Sequence, residues 1–329
     1  LIRRRHNQRK EAMMTFGLAS VRTEHGGTAA MLVAGDKVLP IDGEDPGLLA
    51  ILDDWDRTLP RLEAIAQAGA GALDLSTVEF AAPYIPRQIF CTGANYRRHV
   101  IGLIMGDTSM RTAEHEGISE DERRARVEKM MDDRASNELP YCFIKLPSCV
   151  VGPQDEVVLP RNVVKPDWEL ELGVVIGRRA RHVTPEQAME HVAGYVVVND
   201  VTAREHIFRR DSSAIGADWL SGKCFPTFLP FGPMIVPRQF VPDPYDLNIR
   251  LSVNGKVYQD ESTADMMIGI ERQIAYLSDR LTLMPGDVIC TGSPYGNGSA
   301  FGVFLKPGDV MEGTITGLGT QRNPCIAET

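Results

Sequence analysis

Two carboxylates set into an apolar strand are the first residues of this chain that could do chemistry. In Lys165-Pro-Asp-Trp-Glu-Leu-Glu-Leu-Gly-Val-Val-Ile-Gly177, Glu169 and Glu171 stand two residues apart. On an extended chain both point to one face, and Leu170 and Leu172 point to the other. Like charges this close repel unless something positive sits between them. A divalent cation answers that need, because hard metals take carboxylate oxygens as ligands. An edge strand with a wet acidic face would show the same pattern, so this stretch alone leaves both readings open.

Three further places carry candidate chemistry. His99 follows a strand and a Gly-Ala-Asn turn, a position where catalytic groups are often mounted, although a lone histidine there is also compatible with a structural role. Asp200 ends the apolar run Tyr195-Val-Val-Val-Asn-Asp200. The stretch 287–298 reads as a strand running into a glycine-rich loop, whose backbone N–H groups can approach an anion closely. It lacks the Gly-Lys-Ser/Thr ending of a nucleotide loop, which argues against phosphate as its ligand. His182, His191 and His206 have no spacing that suggests shared ligation and read as structural.

The elements that must position these groups are mostly short strands and turns. Residues 16–22 and 29–39 predict a hairpin, and 46–55 and 59–68 have the apolar spacing of helices. Pro83 and Pro86 mark a boundary. The reading is therefore a loose basic arm (1–13), a small β-rich N-terminal domain (14–82) and a larger domain (83–329). Within the latter, 102–137 is polar and highly charged. Ser119-Glu-Asp-Glu122 is a capping box that predicts a helix through Met131. Its charge run suits a solvated face, and an insertion directly after His99 also suits a lid. Thr184-Pro185 opens another helix, Asn254-Gly255 a hairpin turn, and 266–281 a longer helix ended by Pro285-Gly286.

Composition narrows the classes. Lys and Arg total 35 against 44 Asp and Glu, a net charge of -9, which argues against a nucleic-acid binder. No apolar run reaches the length of a membrane span, and the basic first ten residues are followed by no apolar segment of a secretion signal. The six cysteines form no CxxC pair and read as scattered thiols in a reducing cytoplasm.

The order of the pieces resembles the fumarylacetoacetate hydrolase family over residues 86–324. The matching segments are Thr92-Gly-Ala-Asn-Tyr-Arg-Arg-His99, Phe143-Ile-Lys145, the acidic strand, Ala193-Gly-Tyr-Val-Val-Val-Asn-Asp-Val-Thr-Ala-Arg204, Gly222-Lys223, Thr263-Ala-Asp-Met266 and Thr291-Gly-Ser-Pro-Tyr-Gly296. The resemblance implies an α+β, mainly β fold, a mixed β-sandwich roll, and a homodimer. It implies that Glu169, Glu171 and Asp200 bind one Mg or Mn ion (Ca is the third option) and that the partner is a small 2-oxo acid. His99 falls on the family's general base and Lys223 on the cation that stabilises an enolate. Arg204 and Ser293 fall on substrate-binding positions, Ser293 standing where Thr is usual and still supplying a hydroxyl.

Two departures bear on the reaction. The family's glutamate three residues after the histidine is here Gly102; Glu114 or Glu116 of the insertion is a candidate substitute. Ile207 stands where several relatives have Gln, which points to a less polar or differently shaped substrate. The leading expectation is a metal-dependent hydrolase cleaving a C–C bond in an acylpyruvate-type 2-oxo acid. Oxaloacetate decarboxylation, hydroxymuconate-type isomerisation and 2-keto-3-deoxy sugar-acid dehydration use the same enolate chemistry. A relative that only binds metal and keto acid is the non-catalytic alternative. The absence of a Gly-x-Gly-x-x-Gly opening a helix after a strand argues against a nicotinamide oxidoreductase.

Overall fold

The acidic strand is central. In the computed structural model, which describes residues 15–41, 47–106, 118–208, 211 and 216–329, Leu170–Ile176 is hydrogen-bonded on both sides, antiparallel to Val192–Asn199 and to Val288–Cys290. The edge-strand reading therefore fails: every residue of the strand is buried. It lies inside a six-stranded sheet whose order is 236–237, 192–199, 170–176, 288–290, 89–93, 141–145. Ile89–Gly93 runs parallel to Val288–Cys290. The carboxyl ends of three strands (89–93, 192–199 and 288–290) thus meet the amino end of the acidic strand. That end is where the candidate residues lie.

The two faces of the strand have different partners. Leu170, Leu172, Val174 and Ile176 pack into a core with Ile249, Leu251, Val253, Met311 and Ile315. These come from a five-stranded sheet ordered 256–262, 248–253, 310–315, 319–327, 157–159. On the opposite face Val175 joins Val196, Val198, Leu229 and Phe231 in a second core with Phe16, Leu18, Leu32, Leu48 and Leu52. The N-terminal segment supplies those last residues. It forms its own five-stranded sheet, ordered 73–74, 37–40, 28–34, 17–22, 80–81. Its hairpin pairs Gly17 with Val33 through Arg22 with Thr28, the hairpin expected from 16–39. Helices Gly47–Asp53 and Trp55–Ala68 follow. Leu18 exchanges both backbone hydrogen bonds with Ile235, at 2.8 Å each. Continuous apolar burial on both faces makes the acidic strand a rigid mount.

The charged segment after His99 is built from two packed helices. Arg97–Gly106 carries His99 in its first turn, and Glu120–Asn137 starts at the capping box of Ser119 and Glu122. They meet through Val100, Ile101, Val127 and Met131. Arg123, only 3% exposed, donates to the carbonyls of Ile104 and Met105 at 2.7 and 3.3 Å, closing the C-terminal turn of the helix that holds His99. Arg123→Ala is expected to lower stability by about 1.5–3 kcal/mol, since it strips a charged donor from two carbonyls. Urea unfolding followed by circular dichroism reads that change. Glu114 and Glu116 lie outside the described residues.

The expected helix over 266–281 is shorter. Thr263–Asp265 forms a 3-10 turn, and the helix runs Ile270–Arg280 from Gly269 as its cap. The helix expected from Pro185 to Val192 ends at Ala188 and tightens into a 3-10 turn, Met189–His191, because Val192 already belongs to the next strand. All six cysteines are free.

Candidate active site

One cavity of about 450 Å³ is lined by all seven residues singled out from the sequence: His99, Glu169, Glu171, Asp200, Arg204, Lys223 and Ser293. They are brought together only by the fold, from five parts of the chain besides the helix that bears His99. Glu169 and Glu171 sit at the amino end of the acidic strand, and Asp200 follows the last residue of its partner strand Val192–Asn199. Arg204 opens the short helix Arg204–Ile207, and Lys223 closes Trp219–Lys223. Ser293 lies in the glycine-rich loop after Val288–Cys290. His182, His191 and His206 are absent from the cavity lining.

The three acidic side chains are buried and offer oxygens within 4.8 Å of one another. Two lysines and an arginine run through them as one chain of ion pairs. Lys145 Nζ donates to Asp200 Oδ1 at 2.6 Å, and Lys223 Nζ donates to Asp200 Oδ2 and Glu169 Oε2, both at 2.5 Å. Arg204 continues it, reaching Glu169 Oε1 at 2.6 Å and Asp167 Oδ2 at 2.8 Å. Burial works against ionisation of Glu169, but Arg204 and Lys223 outweigh it and hold that carboxyl low. Glu171 goes the other way. Burial, then the negative charge of Asp200, push its carboxyl well above the usual range. It accepts from one backbone group, Gly292 N–H, at 2.8 Å.

Glu169, Glu171 and Asp200 are grouped as the ligands of one ion would be. Only with Glu171 ionised, the form that burial and Asp200 disfavour, do Asp167, Glu169, Glu171 and Asp200 set four negative charges against the three positive ones of Lys145, Arg204 and Lys223. A divalent ion held among Glu169, Glu171 and Asp200 would favour that form and give the cluster a net charge of +1, the sign that holds an anionic substrate. The donor set, oxygen only, fits a hard ion such as Mg or Mn.

The glycine-rich loop binds anions as its composition suggested, but the anions are the protein's own. Gly292 holds φ at +103°, and a β-carbon there would come within 2.9 Å of the Thr92 carbonyl oxygen, so only glycine brings its N–H onto Glu171. Gly298 and Ser299 N–H donate to Asp167 at 2.6 and 3.0 Å. Gln259 ties the loop to the strand, accepting from Leu170 N–H at 3.0 Å and donating to Ser293 Oγ at 3.1 Å.

His99 is 7% exposed. Burial, with Arg204 and Lys223 adding to it against the opposing charge of Glu169, pushes its imidazole down to about 4, so it stands neutral. Three positions on, a β-carbon at Gly102 would lie 3.0 Å from the Tyr295 ring, so a longer side chain there would press on that ring.

Several functional-site residues escaped the sequence reading. Lys145 and Asp167 are fully embedded in the ion-pair chain, and Asn199 Oδ1 accepts from Glu169 N–H at 2.9 Å. The far wall of the cavity is aromatic, with Phe143 and Trp219 stacked at 4.6 Å and Trp219 Nε1 donating to Tyr141 Oη at 2.6 Å. The sequence signals for Lys145 were a charged residue ending an apolar strand and its place in the matching segment Phe143-Ile-Lys145. For Asp167 it was a third carboxylate beside the Glu-x-Glu pair.

Comparison with known proteins agrees with this geometry. Residues 88–326 match the family model described as "Fumarylacetoacetate (FAA) hydrolase C-terminal". The chain is 36% identical over 309 residues to an oxaloacetate tautomerase, mitochondrial (FAHD2B), of Homo sapiens, covering 93% of this chain and 86% of that protein. It is 46% identical over 186 residues to a 2,4-didehydro-3-deoxy-L-rhamnonate hydrolase of Sphingomonas sp., covering 56% of this chain and 64% of that one. Among solved structures it resembles maleylpyruvate hydrolase from Sphingobium sp. SYK-6 in complex with manganese (II) ion and pyruvate. That likeness has a TM-score of 0.70 at 25% identity, over 95% of this chain and 100% of the other. A fumarylacetoacetate hydrolase from Exiguobacterium antarcticum gives a TM-score of 0.73 at 28% identity, over 95% and 100%. No helix among the described residues is long and apolar enough to cross a membrane.

Proposed function

Since this chain belongs to the fumarylacetoacetate hydrolase family, we propose that it is a divalent-metal-dependent hydrolase of acylpyruvate-type 2-oxo acids, cleaving the bond between C3 and C4. The observation that carries this reading is the meeting of three buried carboxylates, a neutral histidine and a buried lysine on one cavity. Glu169, Glu171 and Asp200 would hold the ion, Mg or Mn. When bound, that ion polarises the 2-oxo group and offsets the charge that develops on its oxygen.

The chain's own groups do the rest. Arg204 and the Ser293 hydroxyl orient the head group, and Lys223 presents a permanent positive charge toward the enolate oxygen. Its position between Glu169 and Asp200 holds its ammonium above the ordinary lysine range despite burial, so it stays charged. His99, neutral, takes a proton from water as the water oxygen attacks the distal carbonyl. The C–C bond breaks, its electron pair passes into the enolate, and the proton on His99 is returned to C3. The products are pyruvate and a carboxylic acid.

A second reading has its own support. Glycine stands three residues after His99, and a relative covering 93% of this chain is named an oxaloacetate tautomerase. Keto–enol exchange needs a proton moved between C3 and the enol oxygen and no water attack, so a histidine without an orienting carboxylate suffices for it. A panel of acylpyruvates, oxaloacetate and 2-keto-3-deoxy acids with Mg or Mn separates the two. Hydrolysis of acylpyruvate with the highest kcat/KM supports the first reading; enol–keto exchange of oxaloacetate as the sole activity replaces it with the second.

The acid limb of the hydrolytic rate is expected near or below pH 4, because the imidazole is pushed down to about 4 and a nearby divalent ion moves it further down. The base works when deprotonated, so rates hold above that limb and fall as pH drops through it. A kcat–pH profile with a limb at the ordinary histidine value near 6.5 would contradict the buried, neutral ring.

A further inference from the structure

The proposed mechanism uses the charged end of the cavity and leaves its far wall unexplained. That wall is made of Tyr141, Phe143, Ile207, Phe208, Trp219 and Leu103. Trp219 and Phe143 stack at an interplanar angle of 15°, and the Tyr141 hydroxyl accepts from Trp219 Nε1. Ile207 is buried, and its side chain fills the space above Gly222, where a β-carbon would come within 2.5 Å of Ile207 Cγ1. The cavity-lining cations among the described residues are Arg204 and Lys223, and both are bound to carboxylates at the opposite end. Lys223 Nζ sits 5.1 Å from the Phe143 ring centroid, so the aromatic wall begins where the ion-pair chain stops.

We infer that the part of the substrate beyond C4 is an uncharged group with an apolar face, packed on the Phe143–Trp219 wall, and that a distal carboxylate is disfavoured. This rests on the proposed reading of the site as a 2-oxo acid site and adds the class of its distal group. The physical reason is asymmetric. An apolar group gains from leaving water for this wall, whereas a carboxylate laid against the stacked Phe143 and Trp219 faces gives up hydration for contacts that do not replace it.

Binding to the Mn-loaded protein tests this without turnover. The probes are oxalate as head-group control and two 2-oxo acids of matched shape, 2-oxoadipate and 6-methyl-2-oxoheptanoate, in which an isopropyl group replaces the distal carboxylate. Titrations are followed by water-proton relaxation of the Mn ion and by calorimetry. The expected result is at least ten-fold tighter binding of the uncharged acid. Trp219→Ala should erase most of that preference while oxalate affinity stays within two-fold. Phe208→Lys places a cation on a side chain that is 69% exposed and so leaves the fold intact; it should tighten 2-oxoadipate several-fold and weaken its partner. Equal or tighter binding of 2-oxoadipate by the parent protein overturns the inference and leaves the head-group reading standing. Binding of oxalate but of neither longer acid also overturns it. Failure of oxalate and both acids to bind overturns the 2-oxo acid reading, and the inference with it.

Discussion

Asp200→Asn is expected to abolish retention of a divalent ion and to lower acylpyruvate turnover by roughly 100- to 1,000-fold, the order of effect seen when electrostatic stabilisation of a transition state is removed. The substitution keeps the size of the side chain but deletes one of the three carboxylate charges and sets an N–H donor against one of the two lysine ammonium groups. It also unbalances the interior. Asp200 is fully buried and pairs with both Lys145 and Lys223, so its loss leaves two buried ammonium groups short of a counter-charge. Breaking a buried pair from one side costs about 3–5 kcal/mol. The urea midpoint should therefore fall together with metal affinity. A metal-retaining, stable Asp200→Asn protein would mean that the aspartate is neither ligand nor keystone.

His99→Ala should behave in the opposite way. The ring makes no described hydrogen bond to the carboxylates, so the ion and the head group should still bind. The rate of hydrolysis should fall by roughly 100- to 10,000-fold, the usual contribution of a positioned general base. KM should change little, because the loss falls on the transition state. Stability should rise slightly at mildly acid pH. The imidazole's folded-state value lies below its unfolded one, so the native histidine weakens the fold as pH falls from about 6.5 toward about 4. Normal turnover by His99→Ala would remove the general-base assignment.

The sequence carried much of this site because its logic is local. Period-two spacing placed Glu169 and Glu171 on one face of a strand, and the order of motifs around them placed Asp200, Lys223, Arg204 and Ser293 in the same company. The helix after Ser119 was legible from its capping box alone. What escaped was tertiary. Lys145 looks like any charge at a strand end until the fold brings it to Asp200. Asp167 looks like a turn residue until Gly298 and Ser299 converge on it. The apolar positions Val127 and Met131, four apart within a charged run, gave little sign that the helix from Glu120 packs on the one bearing His99. Nor did the alternation of the N-terminal strands say where their buried face would go. It joins the face of the central sheet that carries Val175, a fact of packing between distant segments rather than of pattern.

The fold gives the reading a physical frame. Two hydrophobic cores clamp the acidic strand from both sides, so four carboxylates and three cations can be held in a small buried volume at its end. Arg123 closes the helix that bears His99 by donating to the Ile104 and Met105 carbonyls.

The central claim is that Glu169, Glu171 and Asp200 bind one divalent ion between them. Calorimetric titration of Mn into chelator-treated protein, run beside Glu171→Gln, tests it most directly. One ion per chain in the parent and loss of that site in Glu171→Gln is the predicted result. No saturable site in the parent, or undiminished binding in Glu171→Gln, would contradict it.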